Sequence, residues 1–235
     1  MFETFCKYWW IYVLLGLGCY FFCNINFAIA FSHLIKKSDV RNYGSGNPGT
    51  TNMFRVYGLR MGALTFLCDA MKGVVCCLVA RLAFIWCESS VAVTTAGYFA
   101  GLFAVFGHVF PVFYRFRGGK GVATSIGACF VLQPILSLCL VVPCLVILLV
   151  TDRVSVMSLF LAFFMITWSW ILWATGADFA IFYSNIDLLC CVLVTLTFST
   201  MIYAHRHNIE RILLGKESKT GFRKALIGKS DKIVK

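Results

Sequence analysis

The sequence predicts an all-α polytopic membrane protein of about seven transmembrane helices, some short or broken, with the N-terminus outside and the C-terminus inside. Three observations lead there. Sixty per cent of the 235 residues are hydrophobic and 13% are charged, against about 45–50% apolar and about 25% charged in soluble domains. Runs free of charge, long enough for the roughly 20 apolar residues that a spanning helix needs, recur along the chain. The basic residues gather in alternate connections. With a mean hydropathy of +0.83, these features exclude a soluble single-domain enzyme, a disordered chain and a fibrous one. The formal charge of +11 then points to an anionic lipid surface or a small anionic substrate rather than to nucleic acid.

Each span has its own justification. No Asp, Glu, Lys or Arg lies between Lys7 and Lys36, which predicts a first span near 9–34. The second covers about 62–86 and the third about 91–114. The charge-free stretch from Val122 to Thr151 is too long for one helix and carries Gln133-Pro134. A proline inside a helix loses a hydrogen bond, so this stretch reads as two short spans, 122–132 and 134–150. A sixth covers about 155–176 and a seventh about 184–204. With the N-terminus outside, the connections after spans 1, 3 and 5 and the tail hold every Lys and Arg except Lys7, Lys72 and Arg81, while the opposite connections carry Glu88, Asp178 and Asp187. That asymmetry sets the orientation. Residues 1–220 read as one membrane domain and 221–235 as a basic cytoplasmic tail that rests on anionic lipid. The first apolar run lacks an Ala-x-Ala-like exit and is too long for a cleavable signal. Most of the twelve cysteines sit inside apolar runs, with no C-x-x-C pair and no zinc spacing, so they read as small hydrophobes rather than ligands. No metal is implied.

Three polar segments interrupt the apolar pattern, all on the predicted cytoplasmic face. The first is Gly44-Ser45-Gly46-Asn47-Pro48-Gly49-Thr50-Thr51-Asn52-Met53-Phe54-Arg55. Its glycines, hydroxyls and amides suit an anion, and Arg55 supplies a planar fork for phosphate; a plain flexible loop is the alternative. It lacks the Gly-Lys-Ser/Thr ending of a Walker A loop. The second is Arg115-Phe116-Arg117-Gly118-Gly119-Lys120-Gly121-Val122-Ala123-Thr124-Ser125, which opens a helix. Gly118, Gly119 and Gly121 permit close approach, Lys120 adds a point charge, and the helix N-terminus adds its dipole. The third is Tyr203 to Glu217, in which His205, Asn208 and, one turn on, Arg211 or Ile212 share a helix face. Asp69 and Lys72 lie three apart within span 2, either as an anchoring ion pair or as functional groups. His108 precedes the second segment and braces it or acts in it. Ser155 and Ser158 open span 6, as helix caps or as anion contacts.

These motifs, GSGNPGTTNMFR, FPVFYRFRGGKGVATS and YAHRHNIERILLGKE, resemble those of the bacterial acyl-phosphate:glycerol-3-phosphate acyltransferases, the PlsY family. The resemblance runs from span 1 to about Lys219 and includes the Asp69-x-x-Lys72-Gly73 and Arg153-to-Ser158 runs. It implies a multi-pass enzyme of the bacterial inner membrane, with its active site on the cytoplasmic face. Such an enzyme transfers an acyl group from acyl phosphate to the sn-1 hydroxyl of glycerol 3-phosphate. The products are lysophosphatidic acid and phosphate. Motif by motif, it implies Ser45, Arg55, His205 and Asn208 as catalytic groups. Asn47, Thr51, Asn52, Gly118, Gly119, Lys120, Gly121, Ser155 and Ser158 are implied as substrate contacts, and Glu217 as structural. Thr50 stands where the family usually has alanine.

The chemistry is coherent on its own terms. An acyl phosphate is a mixed anhydride, so its carbonyl is already activated and no acyl-enzyme or cofactor is required. The enzyme must hold two polyanions side by side and align a hydroxyl with a carbonyl, a positioning worth roughly 7–11 kcal/mol in favourable cases. The proton goes to His205 or to a substrate phosphate, and the second is favoured, with His205 as a positioning group. The expected partners are acyl phosphate, glycerol 3-phosphate and membrane lipid, with the chain a monomer and no nucleic acid involved. The alternative is a transporter for a phosphorylated small metabolite. It predicts polar residues deep in several helices and an inverted repeat, neither of which the sequence displays. Acyltransferases with an H-x4-D motif and metal-dependent phosphotransferases with clustered Asp do not fit the His and Asp positions.

Overall fold

The computed structural model describes residues 2–85, 90–176 and 186–227, and among these the regular elements are all helices, with no strand. Glu88 and Asp178, which entered the orientation argument, lie outside the described residues. Eleven α-helices among the described residues carry the fold. Helix α1, Phe2–Cys23, kinks at Tyr8 and stops at Asn24. Helix α2, Phe27–Leu34, restarts after a break that a charge count cannot see. Asn26 caps it, its Oδ1 accepting from Ile29 N at 3.0 Å while its Nδ2 donates to Pro48 O at 3.1 Å. The expected first span is therefore one membrane-length unit broken at two asparagines, and one of them also grips the first polar loop.

Helices α3, Thr50–Tyr57, and α4, Leu59–Phe84, meet at Gly58. Helix α5, Ser90–Val109, ends five residues before the expected Tyr114, because Pro111 opens a short 3₁₀ turn at Val112–Tyr114. Helix α6, Val122–Leu132, and α7, Pro134–Thr151, break at Gln133-Pro134 as expected, with proline at the first helical position. Helices α8, Val154–Thr175, and α9, Leu188–Ala204, follow, the latter capped by Asp187, whose carboxylate accepts from Cys190 N. The first residues of the expected seventh span, 184 and 185, lie outside the described residues. Helix α10, Arg206–Leu213, turns off α9 by 59°, and α11, Phe222–Ile227, closes the described chain.

All seven expected segments contain helix, but not all cross a bilayer by length. Five spans among the described residues are long and apolar enough, or six when the bent α9–α10 pair counts as one. Helix α6 has 11 residues and reaches only about 16 Å at 1.5 Å per residue, roughly half of a hydrocarbon core. Its place is set by α4: a Cβ on Gly73 would overlap Thr124 O, and one on Gly127 would overlap Ala70 O. The reciprocal glycines let the two backbones touch, the small-residue packing that holds helices together in lipid. One apolar cluster, including Leu102, Leu132, Met165 and Phe198, joins α5, α6, α8 and α9; another, including Tyr12, Cys76, Phe84 and Ala96, joins α1, α4 and α5. Large side chains such as Leu14, Val79, Val142 and Phe163 point outward, as a lipid-facing belt requires.

Candidate functional site

The three polar segments converge on one cavity of about 1,090 Å³. Its polar end is built from loop backbone held by buried side chains. Asn52, 1% exposed, is a latch. Its Oδ1 accepts from Ser45 N at 2.9 Å, and its Nδ2 donates to Val40 O and Tyr43 O at 3.1 and 3.0 Å. The amide thus spends itself on shaping the loop and setting Ser45 at the rim. Asn47, Thr51 and Arg55 line the cavity with Ser45, and Arg55 Nη2 reaches Ser218 Oγ at 3.5 Å.

The glycine loop lies against the end of α5. Gly118 N donates to Val109 O at 3.2 Å and Gly119 N to His108 O at 3.1 Å. A Cβ on Gly118 would overlap His108 O, and one on Gly119 would overlap the His108 ring. These two glycines therefore serve close packing, and with Lys120 and Gly121 they also line the cavity wall. Beneath them, in the membrane, Lys72 Nζ sits 2.9 Å from Asp69 Oδ1 and 3.1 Å from His108 Nδ1, and donates to Ile25 O at 2.7 Å. Lys72 thereby neutralises a buried acid and satisfies a carbonyl freed by the α1–α2 break, and His108 carries the loop above.

The third segment supplies the most connected group. Lys120 Nζ donates to Asn208 Oδ1. Asn208 Nδ2 and Ser155 Oγ both donate to Glu217 Oε1, at 2.6 and 2.7 Å, and Arg211 Nε donates to Oε2 at 2.8 Å. Burial pushes the Glu217 carboxyl up, but these donors outweigh it and hold it below its usual range. Glu217 is the hub of the network. Ser155 lines the cavity through it, whereas Ser158 donates to Val154 O at 2.8 Å within its own helix and does not line the cavity.

His205 occupies the bend between α9 and α10. A carbonyl only accepts, so the 2.8 Å contact with Met201 O places the proton on Nδ1 and leaves Nε2 as an acceptor. The ring is 1% exposed yet lines the cavity. Burial, then the Lys120 charge, push its pKa down to about 4. Burial also lowers Lys120 to about 8, with Arg211 and Arg55 adding to the effect against Glu217. The polar end is thus a basin with a cationic excess, into which the buried His205 imidazole opens. From it an apolar arm runs between α4, α6, α7 and α8 past Phe66, Ile126, Cys144 and Leu161 to Met165.

Sequence reasoning missed part of the wall. Ser218, Thr220 and Phe222 line the cavity but lie beyond the third polar segment and show no spacing signal, whereas Arg211 lines it from the helix face it shares with His205 and Asn208. Asp69 and His108 reach it from within the spans, where a structural and a functional reading of each are open.

Fold and site together define a helical membrane protein with a cationic basin joined to an apolar arm at one end of the bundle. A family model described as glycerol-3-phosphate acyltransferase matches residues 13–215, and the chain belongs to that family. A glycerol-3-phosphate acyltransferase of Finegoldia magna is 38% identical over 209 residues, covering 89% of this chain and 96% of the relative. One from Clostridioides difficile is 34% identical over 218 residues, 91% and 97% of the two chains. Among solved structures, the glycerol 3-phosphate form of PlsY, an integral membrane glycerol 3-phosphate acyltransferase, superposes with a TM-score of 0.76 at 31% identity, covering 92% of this chain and 98% of its own. Its lysophosphatidic acid form gives 0.71 at the same identity, covering 88% and 94%.

Proposed function

We propose that this acyltransferase takes its acyl group from acyl phosphate and passes it directly to the sn-1 hydroxyl of glycerol 3-phosphate, without an acyl-enzyme. The observation that carries the reading is the single cavity in which a cationic basin opens into an apolar arm. That shape suits two phosphorylated head groups side by side, with one acyl chain laid between helices. The PlsY structures in glycerol 3-phosphate and lysophosphatidic acid forms support the acceptor and the product.

The hydroxyl oxygen attacks the acyl carbonyl. The new ester C–O bond forms, the C–O bond to phosphate breaks, and lysophosphatidic acid and inorganic phosphate leave. Arg55 and Lys120 hold the phosphates, and Ser45 and Asn208 are placed to donate to the developing oxyanion. Burial and the Lys120 charge disfavour a proton on His205, and a phosphate monoester has a second pKa of about 6, which together support a substrate phosphate oxygen as the destination of the hydroxyl proton. His205 acts as a positioning group beside the acceptor. Asn47, Thr51, Gly121 and Ser155 complete the contacts, Gly118, Gly119 and Asn52 act by shaping the loops, and no cofactor is called for. The catalytic unit, residues 1–220, works as a monomer in a bacterial inner membrane. Its basin faces the cytoplasm, where the Lys- and Arg-rich connections lie.

The test is a donor comparison with purified protein and glycerol 3-phosphate. Acyl phosphate should give lysophosphatidic acid and stoichiometric phosphate, and acyl-CoA should give neither. Turnover with acyl-CoA alone would overturn the donor assignment. No turnover, with uptake of glycerol 3-phosphate into vesicles, would favour the transporter.

A further inference from the structure

The chain does not leave the site at its last family-matched residue. The family model ends at residue 215, yet Glu217, Ser218, Thr220 and Phe222 all line the cavity. The segment that carries them crosses the cavity mouth and is fastened on both sides. On one side, Arg55 of α3 reaches Ser218, and the Phe222 ring sits 5.8 Å from that of Phe54. On the other side the anchor is Asp152, in the one-residue gap between the left-handed end of α7 and the cap of α8. Its backbone carbonyl accepts from Thr220 N at 2.7 Å. Its carboxylate accepts from Gly221 N at 3.2 Å and from Phe222 N and Arg223 N at 3.0 and 3.3 Å. One buried acid thus takes up four successive backbone N–H groups, a count that fixes a strap more tightly than a solvated tail needs. Arg153 adds a bond from Nε to Glu217 O at 3.1 Å.

The strap has two chemically distinct ends. Glu217 belongs to the basin, bonded to Asn208 and Ser155. Phe222 belongs to the apolar side. It meets Phe54, α11 packs on α7, and α7 contributes Leu140, Cys144 and Leu148 to the cavity.

We propose that residues 216–222 form a strap over the cavity mouth, in which Phe222 is a wall for the proximal part of the acyl donor and Asp152 is its positioning residue. The proposal rests on the acyl-phosphate reading for the identity of that donor. It places the functional boundary two residues past 220, so that the basic tail begins only after Phe222.

The experiment uses the full chain, with acyl phosphate and glycerol 3-phosphate varied separately. Phe222→Ala should raise KM for acyl phosphate about tenfold, the effect of losing part of one aromatic contact, and leave KM for glycerol 3-phosphate within about twofold. Asp152→Ala should do the same through loss of the anchor, Asp152→Asn should recover most of it because Oδ1 can still accept, and Phe222→Leu should recover part. Combining Asp152→Ala with Phe222→Ala should add little to either alone. An unchanged donor KM in Phe222→Ala would overturn the proposal, and so would a shift confined to glycerol 3-phosphate. Where the alanine variants do not purify, the Phe222→Leu and Asp152→Asn pair carries the same comparison at smaller amplitude. Failure of the wild-type chain to use acyl phosphate would sink the underlying reading. Wild-type turnover with a silent Phe222→Ala sinks the strap alone.

Discussion

Lys120 and His205 are buried side by side in the same basin and respond to it in ways that can be separated. Burial lowers Lys120 to about 8, so its cation is complete below that value and is lost as the pH rises through it. We expect kcat/KM for glycerol 3-phosphate to decline above about pH 8. Lys120→Arg should remove that decline, because a guanidinium stays charged. Lys120→Ala deletes a charge-assisted contact worth about 1.5–3 kcal/mol, or roughly ten- to a hundredfold in affinity. Steady-state kinetics should show that loss in KM for glycerol 3-phosphate more than in that for acyl phosphate. His205, held at about 4, is neutral throughout the physiological range, so kcat should show no His205 inflection near its ordinary 6.5. An inflection there that disappears in His205→Asn would assign the proton to the imidazole. Site chemistry was legible where residue type speaks for itself. Ser45, Arg55, Lys120, His205 and Asn208 come from three separated segments and all line one cavity. The same reasoning could not tell that Ser158 turns back onto its own helix, or that Asn52 is a latch. Hydroxyls and amides have the same inventory of donors and acceptors in either role.

At the level of helices, the contact of α4 with α6 carries the glycine loop. Gly73 and Gly127 each face a carbonyl across it, and a β-branched side chain there forces the two backbones apart. Overpacking of this kind costs about 1–3 kcal/mol or more. Gly73→Val should therefore lower the melting temperature in detergent and weaken activity together, while a lipid-facing control such as Val142→Ala should do neither. The break at Gln133-Pro134 was readable because proline cannot donate. The break at Asn24–Asn26 was not. Two amides carry no charge, so a hydropathy and charge count passes over them, and only their bonds to Tyr20 O, Ile29 N and Pro48 O explain the stop and restart. The short span of α6 was legible in its boundaries, and its length of 11 residues already says that it stops near mid-membrane.

For the whole molecule, the account requires all the basic connections on one side of the bilayer. Lys36, Lys37, Lys216 and Lys219 are exposed. A membrane-impermeant amine reagent should modify them in inside-out vesicles and spare them in right-side-out ones, as read by mass spectrometry of peptides. Modification of the first pair and the second pair from opposite sides would separate the first loop from the third and dissolve the shared basin.

The most direct measurement is an initial-rate matrix in which both substrates are varied. If one cavity holds donor and acceptor together and the acyl group passes between them without an enzyme ester, double-reciprocal plots should intersect, and no acylated protein should accumulate when acyl phosphate is supplied alone. Parallel lines, together with a stable acyl adduct on any serine or cysteine of the chain, would show two half-reactions and contradict direct transfer.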